Sequence, residues 1–546
     1  MVEALSRRGL LQAALGSSAG AGLSALAACC PSPQFSSKAW NNALQLDGVN
    51  PDQQRTPTSL LELIAVIQEA EANQQGVRMT GSGHSFSDVA FSEGYLLSPL
   101  NLNRQLFLDR AQLRPEFRAD SNLVRFESGI RLRELNPLLF GASPGLALPN
   151  MGGYDAQTIV GAAMTGTHGS GLGYGPLASQ IVSIELVGSG GELLKIEPKE
   201  GITDPVNARP TLHTPEGLVA ARLLQHDETF NALAVSMGCM GVVYAVVLRV
   251  EPRFWLKETR LRTTWGELSK PGGFISRLLS HAKLDDGSNP DPDYYEINFN
   301  PYPSRPGDPP AAHRCLLTRR YKQHEPPAQL TADERKRGRF GSDALRAAAQ
   351  LTGYGARLVE FTNAHPKLVP QVIDESLSAV EDQSYIDVSY NVFNAGPTSL
   401  VRAYGIELGF DVSQTVAAVE RLFVIAQGFA QKGWLHSSPP TLRFVKQSPC
   451  HLAMMYGRDT MMLELGMLVR ANGADDLLKK YESQFASEFR ARPHWGLDLK
   501  VLQDFSEVRV LYPDSADRWL AIYRAMNAKG TFNASFTDRL GISMRT

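Results

Sequence analysis

The stretch from Gly161 to Gly175 limits what this chain can become more than any other. It opens Gly161-Ala162-Ala163-Met164-Thr165-Gly166-Thr167-His168-Gly169-Ser170-Gly171, and residues this small cannot fill a hydrophobic core. They can let backbone and hydroxyl groups come close to a flat ligand. Strongly apolar segments flank the stretch, which argues against a flexible linker. A second glycine loop, Gly81-Ser82-Gly83-His84-Ser85-Phe86, follows a short strand expected over Val77 to Thr80. Such loops turn several backbone N–H groups toward one anion, as a pyrophosphate requires. Neither is a dinucleotide fingerprint, because Phe86 stands where the third glycine belongs, and neither carries a P-loop lysine.

A chain of 546 residues calls for two or more domains. Its 54 basic and 56 acidic residues nearly cancel, leaving a formal net charge of −2. No Lys/Arg run marks a nucleic-acid or anionic-membrane patch, so nucleic acid is excluded as a partner and a small molecule is expected. Beyond the first thirty residues no apolar stretch is long enough to cross a bilayer. The five cysteines (Cys29, Cys30, Cys239, Cys315 and Cys450) form neither a disulfide framework nor a zinc-type cluster, and no metal ligands are expected. Cys239 and Cys450 lie in apolar surroundings and read as core thiols.

The N-terminus has the features of an export leader over residues 1–29. Arg7-Arg8 precedes a mildly apolar run to Ala28, the twin-arginine pattern. Leu26-Ala27-Ala28-Cys29 also matches a lipoprotein box, so lipidation of Cys29 and simple cleavage after Ala28 both stand open. A periplasmic or extracellular location is expected, with the twin-arginine machinery as a partner. That route carries folded proteins and suits a chain that acquires a cofactor before export.

In the mature chain, Pro57 and Thr58 or Ser59 open a helix with Leu60, Leu63, Ile64 and Ile67 on one face, and Gly76 ends it. Strands are expected at Leu123 to Glu127, Ile181 to Gly188, Val242 to Val250, Tyr294 to Phe299 and Thr460 to Leu465. Helices are expected over Ser413 to Lys432, with Val416, Val419, Leu422 and Phe423 inward, and over Asp475 to Arg490. Asp333 to Arg339 reads as a solvated loop or helix face. The fold class is α+β, with a first domain over 45–252 and a second over 253–546, whose last thirty or so residues return to the first.

Both loops, with Ser236-Met237-Gly238-Cys239-Met240-Gly241-Val242-Val243, resemble the FAD domain of the vanillyl-alcohol-oxidase (PCMH-type) superfamily. Leu442-Arg443-Phe444, Tyr456-Gly457-Arg458-Asp459-Thr460 and Arg492-Pro493-His494-Trp495-Gly496 resemble the second domain of its sugar-lactone and alditol oxidase branch. The resemblance implies a two-subdomain FAD-binding domain followed by an α+β substrate (cap) domain. It implies FAD bonded to His84, and pyrophosphate contacts at Gly81, Ser82, Gly83 and Ser85. A second flavin loop is implied at Thr158, Gly161, Thr165, Gly166, His168, Gly169 and Ser170, with adenine-side contacts at Gly241 and Val243. Hydride transfer to the flavin from a secondary alcohol or sugar lactone is expected, with oxygen or another electron acceptor taking the electrons.

Oxidising an alcohol requires a group for the hydroxyl proton and a positive group for the charge gathering on the reduced ring. Arg443, Glu464 and His494 are the candidates, with Trp495 as a possible pocket wall. The chain departs from the branch at two points: Thr441 stands where a glutamate is usual and Leu497 where a lysine is usual. These departures leave a sterol open as an alternative substrate. An inactive exported binding lipoprotein is a further alternative.

Overall fold

Ser59 starts the first helix by accepting the N–H of Glu62 on its Oγ (3.1 Å), and helix α1 runs over Leu60–Ala72 with Leu60, Leu63, Val66 and Ile67 buried. A small parallel sheet lies beside it in the order β1 (Gln53–Arg55), β3 (Tyr95–Leu97), β2 (Val77–Met79). The computed structural model describes residues 39–544 apart from 207–210, 285–289, 306, 326–353, 379–383 and 395–401. The expected leader and the charged stretch from Asp333 to Arg339 lie outside the described residues.

The second sheet of the first domain is mixed. It comprises β4 (Gln105–Leu106), β5 (Leu123–Glu127), β6 (Ile181–Val187), β7 (Leu193–Glu197), β8 (Arg222–Gln225) and β9 (Val242–Arg249), in the order β8-β7-β6-β9-β5-β4. Every residue of β5 is buried, as are those of β9 up to Leu248; β9 therefore reads as a near-continuous apolar run, whereas β5 also buries Arg125, paired with Glu185 at 2.7 Å, and Glu127, paired with Arg104 at 2.7 Å. A six-residue helix, α2 (Ile159–Met164), carries the start of the second glycine loop, and Thr158 caps it.

The second domain is built on an eight-stranded sheet. Its strands are β10 (Trp255–Thr264), β11 (Tyr294–Phe299), β12 (Arg314–Gln323), β13 (Ser384–Val388), β14 (Ala403–Asp411), β15 (Thr441–Val445), β16 (Thr460–Leu468) and β17 (Arg492–Pro493). Their order is β13-β10-β12-β11-β15-β16-β14-β17. Strand periodicity divides the sheet into two faces of opposite character. Ile406, Leu408, Phe410, Leu442, Phe444 and Leu463 join one core with helix α3 (Thr415–Ala430) and helix α4 (Ala474–Phe489). The alternate positions Glu296, Glu407, Thr441, Arg443 and Glu464 therefore share the other face, toward the first domain.

The chain then returns to the first domain. The Thr531 carbonyl accepts the N–H of Val77 at 2.8 Å, Arg539 pairs with Asp88 at 2.7 Å, and Trp519 Nε1 donates to the Val235 carbonyl at 3.1 Å. Just before this return, the Gly496 carbonyl accepts the N–H of Phe86 (3.0 Å). That bond ties the loop after β17 to the first glycine loop. Cys239, Cys315 and Cys450 are all buried free thiols, and burial pushes Cys239 up to about 12 and Cys450 up to about 11.

Candidate active site

One cavity receives the three glycine-bearing segments of the first domain and the charged face of the second. Gly81 and Gly83 lie at φ 63° and 73°, the left-handed region that favours glycine. A Cβ on Gly81 would come within 2.9 Å of Thr158 Oγ1, and one on Gly161 within 2.8 Å of the same atom. The two loops are also stitched together, since Thr158 N donates to Ser82 Oγ (3.2 Å) and Gly161 N to Thr158 Oγ1 (3.3 Å). Larger residues at either glycine would crowd this cradle.

At the end lined by Met237, Gly238, Gly241 and Val243, Arg78 lies buried behind the wall. One of its nitrogens donates to the Met237 carbonyl at 2.7 Å, while Nε and Nη2 have no hydrogen-bond partner and no carboxylate pairs with it among the described residues. A buried cation of this kind is costly unless an anion compensates it. The glycine cradle, with its left-handed turns and the room that a Cβ would fill, fits the pyrophosphate of FAD.

His84 lines the cavity beside Tyr154, with Tyr154 Oη 3.4 Å from His84 Nε2 and the rings edge to face. Burial, with Arg131 and Arg133 adding to it, brings His84 down to about 4, so at neutral pH the ring is uncharged and keeps a nitrogen lone pair.

Ser85, Thr165 and His168 also line the cavity, but Gly166, Gly169 and Ser170 do not. A Cβ on Gly166 would meet Met454, and one on Gly169 would meet Asn150. Ser170 Oγ donates to the Tyr295 carbonyl and accepts the N–H of Phe444 (3.1 Å). Past His168 the loop has left the cavity and fastens the two domains together. Trp495 is likewise not a wall: it is fully buried, with Nε1 donating to the Leu452 carbonyl at 2.6 Å.

Arg443, Glu464, His494 and Leu497 all face the cavity. Arg443 binds Glu464 at 2.6 Å and approaches Glu407 at 3.5 Å and Glu296 at 3.8 Å. Burial works against its charge, but these three carboxylates outweigh that effect and raise its pKa. Strand pairing places Glu464 directly opposite Thr441. The carboxylate missing at Thr441 is therefore supplied from the neighbouring strand. His494 Nδ1 accepts the N–H of Gly496 (3.0 Å), which puts the ring proton on Nε2. Burial holds His494 down at about 4, so it is a neutral donor.

Glu407 was not expected. It is 5% exposed and lies 3.2 Å from His168 Nε2. With His494 these groups bring one nitrogen or oxygen each to within 4.8 Å of one another, a two-histidine, one-carboxylate set where no metal-type cluster was expected. Its members come from three distant segments, so no local spacing could show it. The one available signal is Gly405-Ile406-Glu407-Leu408-Gly409, in which a lone carboxylate shares a strand face with two glycines.

Comparison with known proteins adds two family models in chain order: an FAD binding domain over residues 51–197 and a D-arabinono-1,4-lactone oxidase model over 310–540. The chain pairs an FAD-binding domain with a second domain of the D-arabinono-1,4-lactone oxidase type. This flavoprotein is 26% identical over 491 residues to the L-gulono-1,4-lactone dehydrogenase of Mycobacterium tuberculosis, covering 89% of the chain and 94% of that protein. It is 30% identical over 236 residues to the L-gulonolactone oxidase of Mus musculus, covering 43% and 44%. Its fold matches a solvent-stable cholesterol oxidase with a TM-score of 0.68 at 14% identity, over 92% of the flavoprotein and 97% of that chain.

Proposed function

We propose that the protein oxidises a secondary hydroxyl of an aldono-1,4-lactone, with FAD held in the cavity between its domains. The observation that carries this reading is a single cavity in which the glycine cradle meets Arg443, Glu464 and His494. Bound FAD would accept the hydride from the carbon bearing the hydroxyl. The protein's own groups handle the proton and the charge. Glu464 is 40% exposed, Arg443 holds its Oε2, and its Oε1 has no partner among the described residues. That free oxygen accepts the hydroxyl proton. His494 donates from Nε2 to a lactone oxygen, and Arg443 steadies negative charge at the reacting end. Gly81, Ser82, Gly83, Ser85, Thr158 and Gly161 would hold the cofactor, with His84 bonded to it.

The sterol alternative rested on two lost ionic groups, and Glu464 opposite Thr441 returns one of them. A hydroxylated ring finds partners at such an end, whereas a sterol nucleus would leave those groups unpaired. Likeness to cholesterol oxidases is one of fold. An inactive binding module would have no use for a proton acceptor and a fixed donor facing the cofactor cradle.

Arg443 is outnumbered by Glu296, Glu407 and Glu464, so the site favours an uncharged lactone over the anionic open-chain aldonate. An aldonate should neither turn over nor inhibit at concentrations where its lactone saturates the enzyme. Glu464→Gln should lower kcat by about 100-fold or more, the usual worth of a positioned proton acceptor. Steady-state kinetics with both forms of one sugar acid tests this, and an unaffected Gln variant would remove Glu464 from the reaction.

Molecular oxygen is the proposed acceptor, and oxygen uptake matched one to one with lactone consumed tests that assignment. We also propose folded-state export through Arg7 and Arg8, with Cys29 as the candidate lipid site. Changing both arginines to Lys should trap the protein in the cytoplasm, and an unchanged periplasmic yield would argue against the twin-arginine route.

A further inference from the structure

The charged face of the second domain carries an unbroken row of ion pairs across neighbouring strands. Arg260 on β10 meets Glu258 at 2.6 Å, and Glu258 meets Arg320 on β12 at 2.6 Å. Arg320 meets Glu296 on β11 at 3.3 Å, and Glu296 meets Arg443 on β15 at 3.8 Å. Arg443 then meets Glu464 on β16 and Glu407 on β14, and Glu407 ends the row against His168 of the cofactor loop. The row holds four carboxylates and three guanidiniums. The surplus negative charge lies toward the cavity, where Glu407 and Glu464 are directly opposite each other across the ladder. Like charges in that position repel, and Arg443 is the group between them.

Glu407 is the hub of this end. One oxygen approaches Arg443 and the other His168, so the side chain spans both domains. Its backbone carbonyl accepts the N–H of His494 at 2.9 Å. Burial would raise its pKa, but the His168 ring and the Arg443 guanidinium beside it outweigh burial and lower it. It therefore stays charged and is a poor proton acceptor.

We propose that Glu407 is a positioning residue that aligns Arg443 and His168 across the domain junction, and that its fixed negative charge lowers the reduction potential of the flavin bound there. A carboxylate as buried as Glu407 in the wall of the cavity opposes the arrival of electrons, and its effect there is stronger than in water. The proposal rests on FAD binding in this cavity and not on which alcohol is oxidised.

The test is the flavin midpoint potential of the holoenzyme, measured by dye equilibration, for the parent, Glu407→Gln, Glu407→Asp and Glu464→Gln. Flavin absorbance confirms cofactor loading in each. Glu407→Gln should shift the potential upward, and by more than Glu464→Gln, whose charge is partly screened by solvent. Glu407→Asp should return it toward the parent value. With the lactone substrate, Glu407→Gln should lower kcat at least tenfold while KM moves less than threefold, as loss of alignment rather than of binding predicts. An unmoved or lowered potential in a loaded Gln variant overturns the proposal. So does failure of that variant to fold, because Gln still offers an acceptor to Arg443 and a donor to His168, and collapse would make Glu407 a structural tie.

Discussion

Arg443→Met should lower kcat/KM for the lactone by roughly 10²- to 10⁴-fold, the largest loss expected from a single substitution in the second domain. Its guanidinium is the cation that separates Glu296, Glu407 and Glu464. Removing one partner of a buried ion pair costs about 3–5 kcal/mol, because the opposite charge is left uncompensated. Here Glu407 and Glu464, opposite each other on the ladder, lose the cation between them while Glu296 keeps Arg320, so the melting temperature should fall together with activity. Arg443→Lys keeps the charge but not the planar fork, and a single ammonium cannot reach all three acids in the same geometry. It should recover much of the stability and little of the rate. Steady-state kinetics and thermal melts of the two variants check this. A Met variant with parental kcat/KM would show that Arg443 takes no part in the reaction.

His84→Ala should convert a permanently yellow protein into one that loses its colour on acid precipitation. His84 faces the cavity as a neutral ring, pushed down to about 4 by burial and by Arg131 and Arg133, so at pH 7 it keeps the lone pair that a bond to the flavin requires. Acid-precipitated parent protein should carry the yellow chromophore in the pellet, and the Ala variant should release it to the supernatant. Release from the parent would contradict covalent attachment while leaving FAD binding intact. A colourless parent would contradict both.

The cofactor half of the site was legible because its residues are contiguous. Gly81 to Ser85 and the capped turn from Thr158 to Thr165 each reach the cavity from one short segment, and a glycine-rich segment advertises itself. The same contiguity misled at Gly166, Gly169 and Ser170, where small residues continue but serve to seat Met454 and Asn150 and to tie the loop to Phe444. Strands such as Leu123–Glu127 and Tyr294–Phe299 were legible from their apolar content and alternation. The substrate half was harder because strand register decides it. Thr441 lacks the expected carboxylate, and only the pairing of β15 with β16 shows that Glu464 stands beside it. Glu407 lies far from His168 in sequence and meets it only when the second domain closes on the first.

Lactone oxidation and flavin reduction are proposed to share one cavity. Anaerobic mixing of the purified yellow protein with an aldono-1,4-lactone, followed at the flavin absorbance bands in the blue, tests it most directly. Bleaching should saturate with lactone concentration, be slowed about 100-fold or more by Glu464→Gln, and be reversed, with the yellow colour restored, when oxygen is admitted. A flavin that stays oxidised with every aldonolactone yet bleaches with a sterol or an alditol would contradict it.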